Sequence, residues 1–99
     1  MTEHCKIYLD DNENICLEGN INFNNVVKTR GSGIELMNAV SSVYIDLIGV
    51  KQADSSSLAL LVAWARAAKS QHKKIKLLNI PAFLASLARV SGLDAVLFI

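Results

Sequence analysis

Asp54-Ser55-Ser56-Ser57 sets one carboxylate and three hydroxyls in a row, between a strand-like Val43-Tyr44-Ile45-Asp46-Leu47-Ile48 and a long apolar run that begins at Leu58. The pattern places them at a helix N-terminus. Such an end leaves about four backbone N–H groups without intrahelical partners and carries roughly half a positive charge. It suits a capping oxygen, a phosphoryl group or an acidic side chain from a partner. The other reactive side chains do not assemble into a reaction centre. A nucleophile needs a base within reach, yet the two histidines are His4, near the amino terminus, and His72, near the far end of the helix from the serines. His4, Cys5 and Cys16 supply at most three metal ligands from one hairpin, and neighbouring strand residues point to opposite faces. Gly31-Ser32-Gly33 has neither the glycine spacing of a dinucleotide turn nor the Gly-Lys-Ser/Thr ending of a phosphate loop. Asp46 has no evident partner carboxylate or base. Neither enzymatic activity nor a metal or cofactor is expected.

The elements that must position the serines follow from periodicity and turn residues. Residues 5–10 and 15–19 read as an antiparallel hairpin around Asp11-Asn12-Glu13-Asn14. Asn22 is expected to cap a short helix carrying Phe23, Val26 and Val27, which Gly31-Ser32-Gly33 interrupts before Ile34-Glu35-Leu36-Met37 resumes it. Residues 43–48 form a strand, 49–53 a connector, 56–71 a helix and 75–79 another strand, a βαβ unit. Its right-handed crossover places the serines beyond the carboxyl edge of the first strand, where loops commonly bind ligands. Pro81 opens a further helix with Phe83, Leu84, Leu87 and Val90, and Gly92 ends it. Residues 96–99 read as a last short strand.

In the helix after the serines, Leu58, Leu61, Val62 and Ala65 form one stripe, and Leu60, Trp64 and Ala68 widen it to roughly 200°, more than a sheet-covering helix needs. Leu60 and Trp64 therefore face either the helix after Pro81 or another protein, where Trp is over-represented among residues that carry binding energy. Arg66, Lys69, Lys73, Lys74 and Lys76 gather towards the far end, a solvated cluster favourable to the helix dipole.

A chain of 99 residues with 52% hydrophobic residues and a formal charge of +1 reads as one domain over 1–99, with apolar area left for a partner to cover. Near-neutrality argues against nucleic acid, which rewards clustered cations through counterion release. The longest apolar stretch, Leu58 to Ala65, is far short of the roughly 20 residues that cross a bilayer. Two cysteines and no basic-then-apolar leader make the cytoplasm the default location.

The order of elements resembles the STAS domain family, and the resemblance covers most of the chain. It is carried by Ile45-Asp46-Leu47 and Val50, by Ala53-Asp54-Ser55-Ser56-Ser57-Leu58-Ala59-Leu60-Leu61, by Lys76-Leu77-Leu78-Asn79-Ile80-Pro81, and by Leu87-Ala88 with Gly92-Leu93. Leu58 to Trp64 and Asn79-Ile80-Pro81 look most like its MlaB branch. The resemblance implies an α/β fold, an anti-sigma-factor-antagonist-like mixed sheet with helices mainly on one face. It implies a non-catalytic cytoplasmic subunit, peripheral to the inner membrane, that binds an MlaF-like ATPase of a phospholipid-transporting ABC complex and, through it, the membrane permease. Asp54, Ser55, Ser56, Ser57, Leu60 and Trp64 are then the partner-binding candidates. The alternative is an anti-sigma-factor antagonist phosphorylated on Ser55. Relatives of that kind usually carry Gly where this chain has Ser57, a departure that weakens the phospho-switch more than ATPase binding. A helix cap and nothing more is the plain structural account of the same four residues.

Overall fold

In a computed structural model that describes residues 5–93, the chain runs β1 (Cys5–Leu9), β2 (Ile15–Ile21), α1 (Val26–Met37), β3 (Val43–Ala53), α2 (Ser56–Ser70), β4 (Ile75–Leu78) and α3 (Ala82–Val90). His4 and the strand expected over residues 96–99 lie outside the described residues. The strands form one sheet in the order β1-β2-β3-β4. β1 is antiparallel to β2, while β2 with β3 and β3 with β4 are parallel, so the sheet is mixed. In the hairpin turn Asp10 accepts the N–H groups of Asn12 and Asn14 on one carboxylate oxygen, each at 2.9 Å.

β3 is longer than its residue types suggest. The stretch expected as a connector, residues 49–53, is strand, because Gly49, Val50, Gln52 and Ala53 pair with the second half of β2. Pairing along a neighbouring strand overrides the weak β-propensity of Gly49, Lys51 and Gln52. The register shifts twice along this pair. Beside the first shift the backbones come so close that a Cβ on Gly49 would lie 2.7 Å from the Leu17 carbonyl oxygen. Only glycine fits such an approach without the strands parting.

Alternation along the central strands builds a one-sided core. Ile15, Leu17 and Ile21 of β2 and Val43, Ile45 and Leu47 of β3 are all at most 1% exposed. They join a single cluster with Met37 of α1, Leu58, Leu60, Leu61, Trp64 and Ala68 of α2, and Leu84 and Ala88 of α3. On the other face of β3, Tyr44 and Ile48 remain exposed. The helices therefore cover one face. α3 stops at Gly92, which takes a positive φ of 74° and lets Leu93 donate to the Ala88 carbonyl, the left-handed helix ending that glycine favours.

Two expectations fail at one contact. Gly31-Ser32-Gly33 does not interrupt α1, which runs unbroken to Met37. Nor are Leu60 and Trp64 an anchor for another protein: they are 1% and 0% exposed. Trp64 does not need α3 as its cover either, because α1 provides it. Its indole lies on Gly33, and Nε1 donates to the Arg30 carbonyl at 3.1 Å. A Cβ at Gly33 would stand 2.4 Å from the ring. The glycine thus lets α1 approach α2 at ring thickness, and burial of the largest side chain outweighs the roughly 1 kcal/mol by which glycine disfavours a helix. At the other end of α1, Lys73 Nζ donates to the Met37 carbonyl at 2.7 Å. One cation of the basic cluster is thus a structural cap, whereas Arg66, Lys69, Lys74 and Lys76 stay exposed.

The two helical glycines should respond to alanine with opposite signs. Gly31 has nothing within 4 Å of an added Cβ, so Gly31→Ala gains about 0.5–1 kcal/mol. Gly33→Ala overpacks the seam and costs about 1–3 kcal/mol. Urea denaturation of both variants measures the difference, and equal effects would show that the seam does not control α1.

Candidate functional site

α1, α2 and α3 follow β2, β3 and β4 in turn, so all three helices start at the carboxyl edge of the parallel strands. Asp54 organises that edge. Its N–H donates to the Ile21 carbonyl at the end of β2, at 3.0 Å. Its Oδ1 accepts the Ser56 N–H at 2.9 Å and the Ser56 hydroxyl, and its Oδ2 accepts the Phe23 N–H at 3.3 Å. Its carbonyl accepts the Ser57 N–H at 3.0 Å and the Ser57 hydroxyl at 2.7 Å. One residue therefore ties the end of β2, the approach to α1 and the first turn of α2.

The three serines have separate fates. Ser57 is 0% and Ser56 6% exposed, both turned inward to Asp54. The expectation that these two face a partner is corrected: their hydroxyls hold the first turn. Ser55 occupies the N-cap position with φ −63° and ψ −18°, and its side chain makes no capping hydrogen bond. It is exposed. The cap role falls to Asp54, whose carboxylate reaches the Ser56 N–H, so the Ser55 hydroxyl is available outward. Burial works against the charge of Asp54, but the hydrogen bonds from the Ser56 hydroxyl, the Ser56 N–H and the Phe23 N–H outweigh it and hold the carboxyl below the ordinary aspartate value. A carboxylate so bonded is ionised throughout the neutral range.

Phe23, expected on the helix, precedes α1, and Phe23 and Val27 stand at this corner. They are 71% and 67% exposed. α1 buries Thr29, Gly33 and Met37 instead, a stripe spaced by four that leaves Val27 on another side. That spacing was the available signal, hidden by the glycines. Asn22 caps the turn that leads into α1: its Oδ1 accepts the Asn24 N–H at 2.9 Å, its carbonyl accepts the Asn25 and Val26 N–H groups at 3.1 and 2.9 Å, and this turn holds the Phe23 amide on Asp54.

Two further groups, Cys16 and Tyr8, are held in their neutral forms. Burial, then the charge of Asp10, pushes the Cys16 thiol up to about 11, so at neutral pH it is protonated and a poor nucleophile. Cys5 pairs opposite Gly19 and Cys16 opposite Tyr8, so the two do not meet. Tyr8 donates to Glu18, which favours the neutral phenol and raises it to about 12. His72 lies just past the C-terminal end of α2, away from Ser55. Among the described residues no group of His, Cys, Asp or Glu is arranged to hold a metal ion, and no helix is long and apolar enough to cross a membrane.

A mixed sheet covered on one face, with an Asp-hydroxyl helix start at its carboxyl edge, defines an STAS domain. The chain belongs to the family described as Mlab, STAS domain, whose sequence pattern matches residues 9–98. Among solved structures, the unphosphorylated form of the anti-sigma factor antagonist SpoIIAA is similar, with a TM-score of 0.72 and 18% sequence identity over 93% of this chain and 84% of that one. At that identity the likeness concerns the fold. No curated protein matches the chain in sequence.

The Asp54 tether should show in acid. Because its carboxyl titrates lower when folded, its contribution is fully present above the unfolded value of about 3.9 and is lost as pH falls through that value towards the folded one. Asp54→Ala should therefore cost about 1 kcal/mol at pH 7, with the gap from wild type closing towards pH 3. Thermal melts across that range measure it, and a gap independent of pH would remove the charge from the account.

Proposed function

We propose that the chain is a non-catalytic subunit that docks through the start of α2 onto the ATPase of an Mla-type ABC transporter, supporting intermembrane phospholipid transport and outer-membrane lipid asymmetry. It would work in the cytoplasm, held peripherally at the inner membrane by the ATPase and indirectly by the permease. The observation that carries this reading is the outward, uncapped hydroxyl of Ser55 on a corner fixed by Asp54, in a chain of the MlaB family. A protonated Cys16 and a His72 remote from Ser55 fit recognition better than bond-making. Such a subunit acts by binding one conformation or assembly state of the ATPase more tightly, and shifts the equilibrium only by that difference in affinity.

Ser55→Arg should abolish co-purification with the cognate ATPase. Its stability should stay within about 0.5 kcal/mol of wild type, as for other exposed substitutions. A folded Ser55→Arg protein that still co-purifies would overturn the reading.

A second reading, an anti-sigma-factor antagonist switched on Ser55, is favoured by one specific feature. Only this serine of the three is open to a kinase. A phosphoryl group there would add close to two negative charges at a helix start, compatible with the dipole but placed beside the Asp54 carboxylate. Mass spectrometry of protein from cells should find phosphate on Ser55 and on neither neighbour if this reading holds. A chain unmodified under every growth condition would count against it.

A further inference from the structure

We propose that the partner meets this corner with an apolar side chain flanked by carboxylates, the apolar group seated against Phe23 and Val27 and the acids facing the helix starts. The inference rests on the docking reading above and names the chemistry of the surface that docks. Phe23 and Val27 are 71% and 67% exposed and four residues apart at the entry to α1. They are not on a loose loop. The Phe23 N–H is held by Asp54 Oδ2, directly before Ser55, and the Asn22 carbonyl closes the turn around it. A preordered aromatic costs little conformational entropy when it is covered, which is what an interface anchor requires.

Charge selects the occupant. α1, α2 and α3 begin at this same edge, and none has an acidic residue in its first turn. The starts of α1 and α3 each contribute roughly half a positive charge, while at α2 the Asp54 carboxylate offsets it. Lys28 and Arg30 on α1 are exposed as well. Among the described residues Asp54 is the carboxylate at these helix starts, and it is engaged by the Ser56 and Phe23 donors. The corner therefore presents apolar area inside a positive field, and a surface offering acids around an apolar group is complementary to both.

The test uses the full chain and the cognate ATPase subunit, with affinity measured by calorimetry for wild type, Phe23→Glu, Phe23→Lys and Val90→Glu. Val90, 86% exposed at the C-terminal end of α3, is the control for a charge placed on exposed apolar surface. Phe23→Glu should weaken binding by at least about 30-fold, Phe23→Lys by at least about fivefold less than that, and Val90→Glu should match wild type, since acids across the contact repel one charge and attract the other. Equal losses for Glu and Lys would overturn the acidic partner surface. Wild-type affinity in Phe23→Glu, with Ser55→Arg still disruptive, would overturn this inference and leave the docking reading standing. Failure of the wild-type chain to bind would bring down both. A free chain that dimerises, or that binds anionic vesicles, and loses this property in Phe23→Glu would assign the patch to a second copy or a lipid surface and overturn the proposal.

Discussion

Three elements of this domain meet at a single residue. Asp54 stands where β3 ends, takes the last carbonyl of β2 on its own N–H, and spreads its oxygens over the Phe23 amide and the first turn of α2. A helix start in water would find solvent for its unpaired N–H groups. Here the Ser56 and Ser57 N–H groups both go to Asp54, and each hydroxyl doubles the bond its own amide makes. The consequence is spatial. Because the two inner serines are consumed in holding the turn, the outer one is presented at a fixed height and angle beside Phe23.

The apolar richness of the chain looked like a surplus awaiting a partner, and most of it is spent internally. Trp64 and Leu60 widen the buried arc of α2 because α1 lies against that flank, and α1 can lie so close because Gly33 has no side chain to hold it off. Phe23, Val27, Tyr44, Ile48, Phe83 and Val90 stay exposed among the described residues, and of these Phe23 and Val27 stand at the entry to α1. A wide apolar arc on a helix thus had two possible covers inside the molecule as well as one outside it.

Local signals sufficed for β1, β2, α2, β4 and α3, since alternation, a proline at a helix entry and a glycine at its exit are all read over a few residues. The segments misread were those whose state depends on a distant neighbour. Residues 49–53 look like a loop until β2 lies beside them. Gly31-Ser32-Gly33 looks like a break until Trp64, 31 residues beyond Gly33, is placed against it. At the candidate site, Asp54 and Ser55 were legible from their position at a helix start. The inward turn of Ser56 and Ser57 was not, because it depends on which oxygen takes the cap. Nor was Phe23, because its exposure depends on where α1 begins.

The parallel pairing of β2 with β3 has a consequence for assembly. These strands are separated along the chain by the whole of α1, and parallel partners so far apart join only after a costly loop has closed. The Ile21 carbonyl and the Phe23 amide that steady Asp54 arrive with that closure. Before it, Asp54 lacks its two long-range partners, and only the local bonds to Ser56 and Ser57 set the serines apart. A partner of the proposed kind would therefore favour copies whose central strands have met.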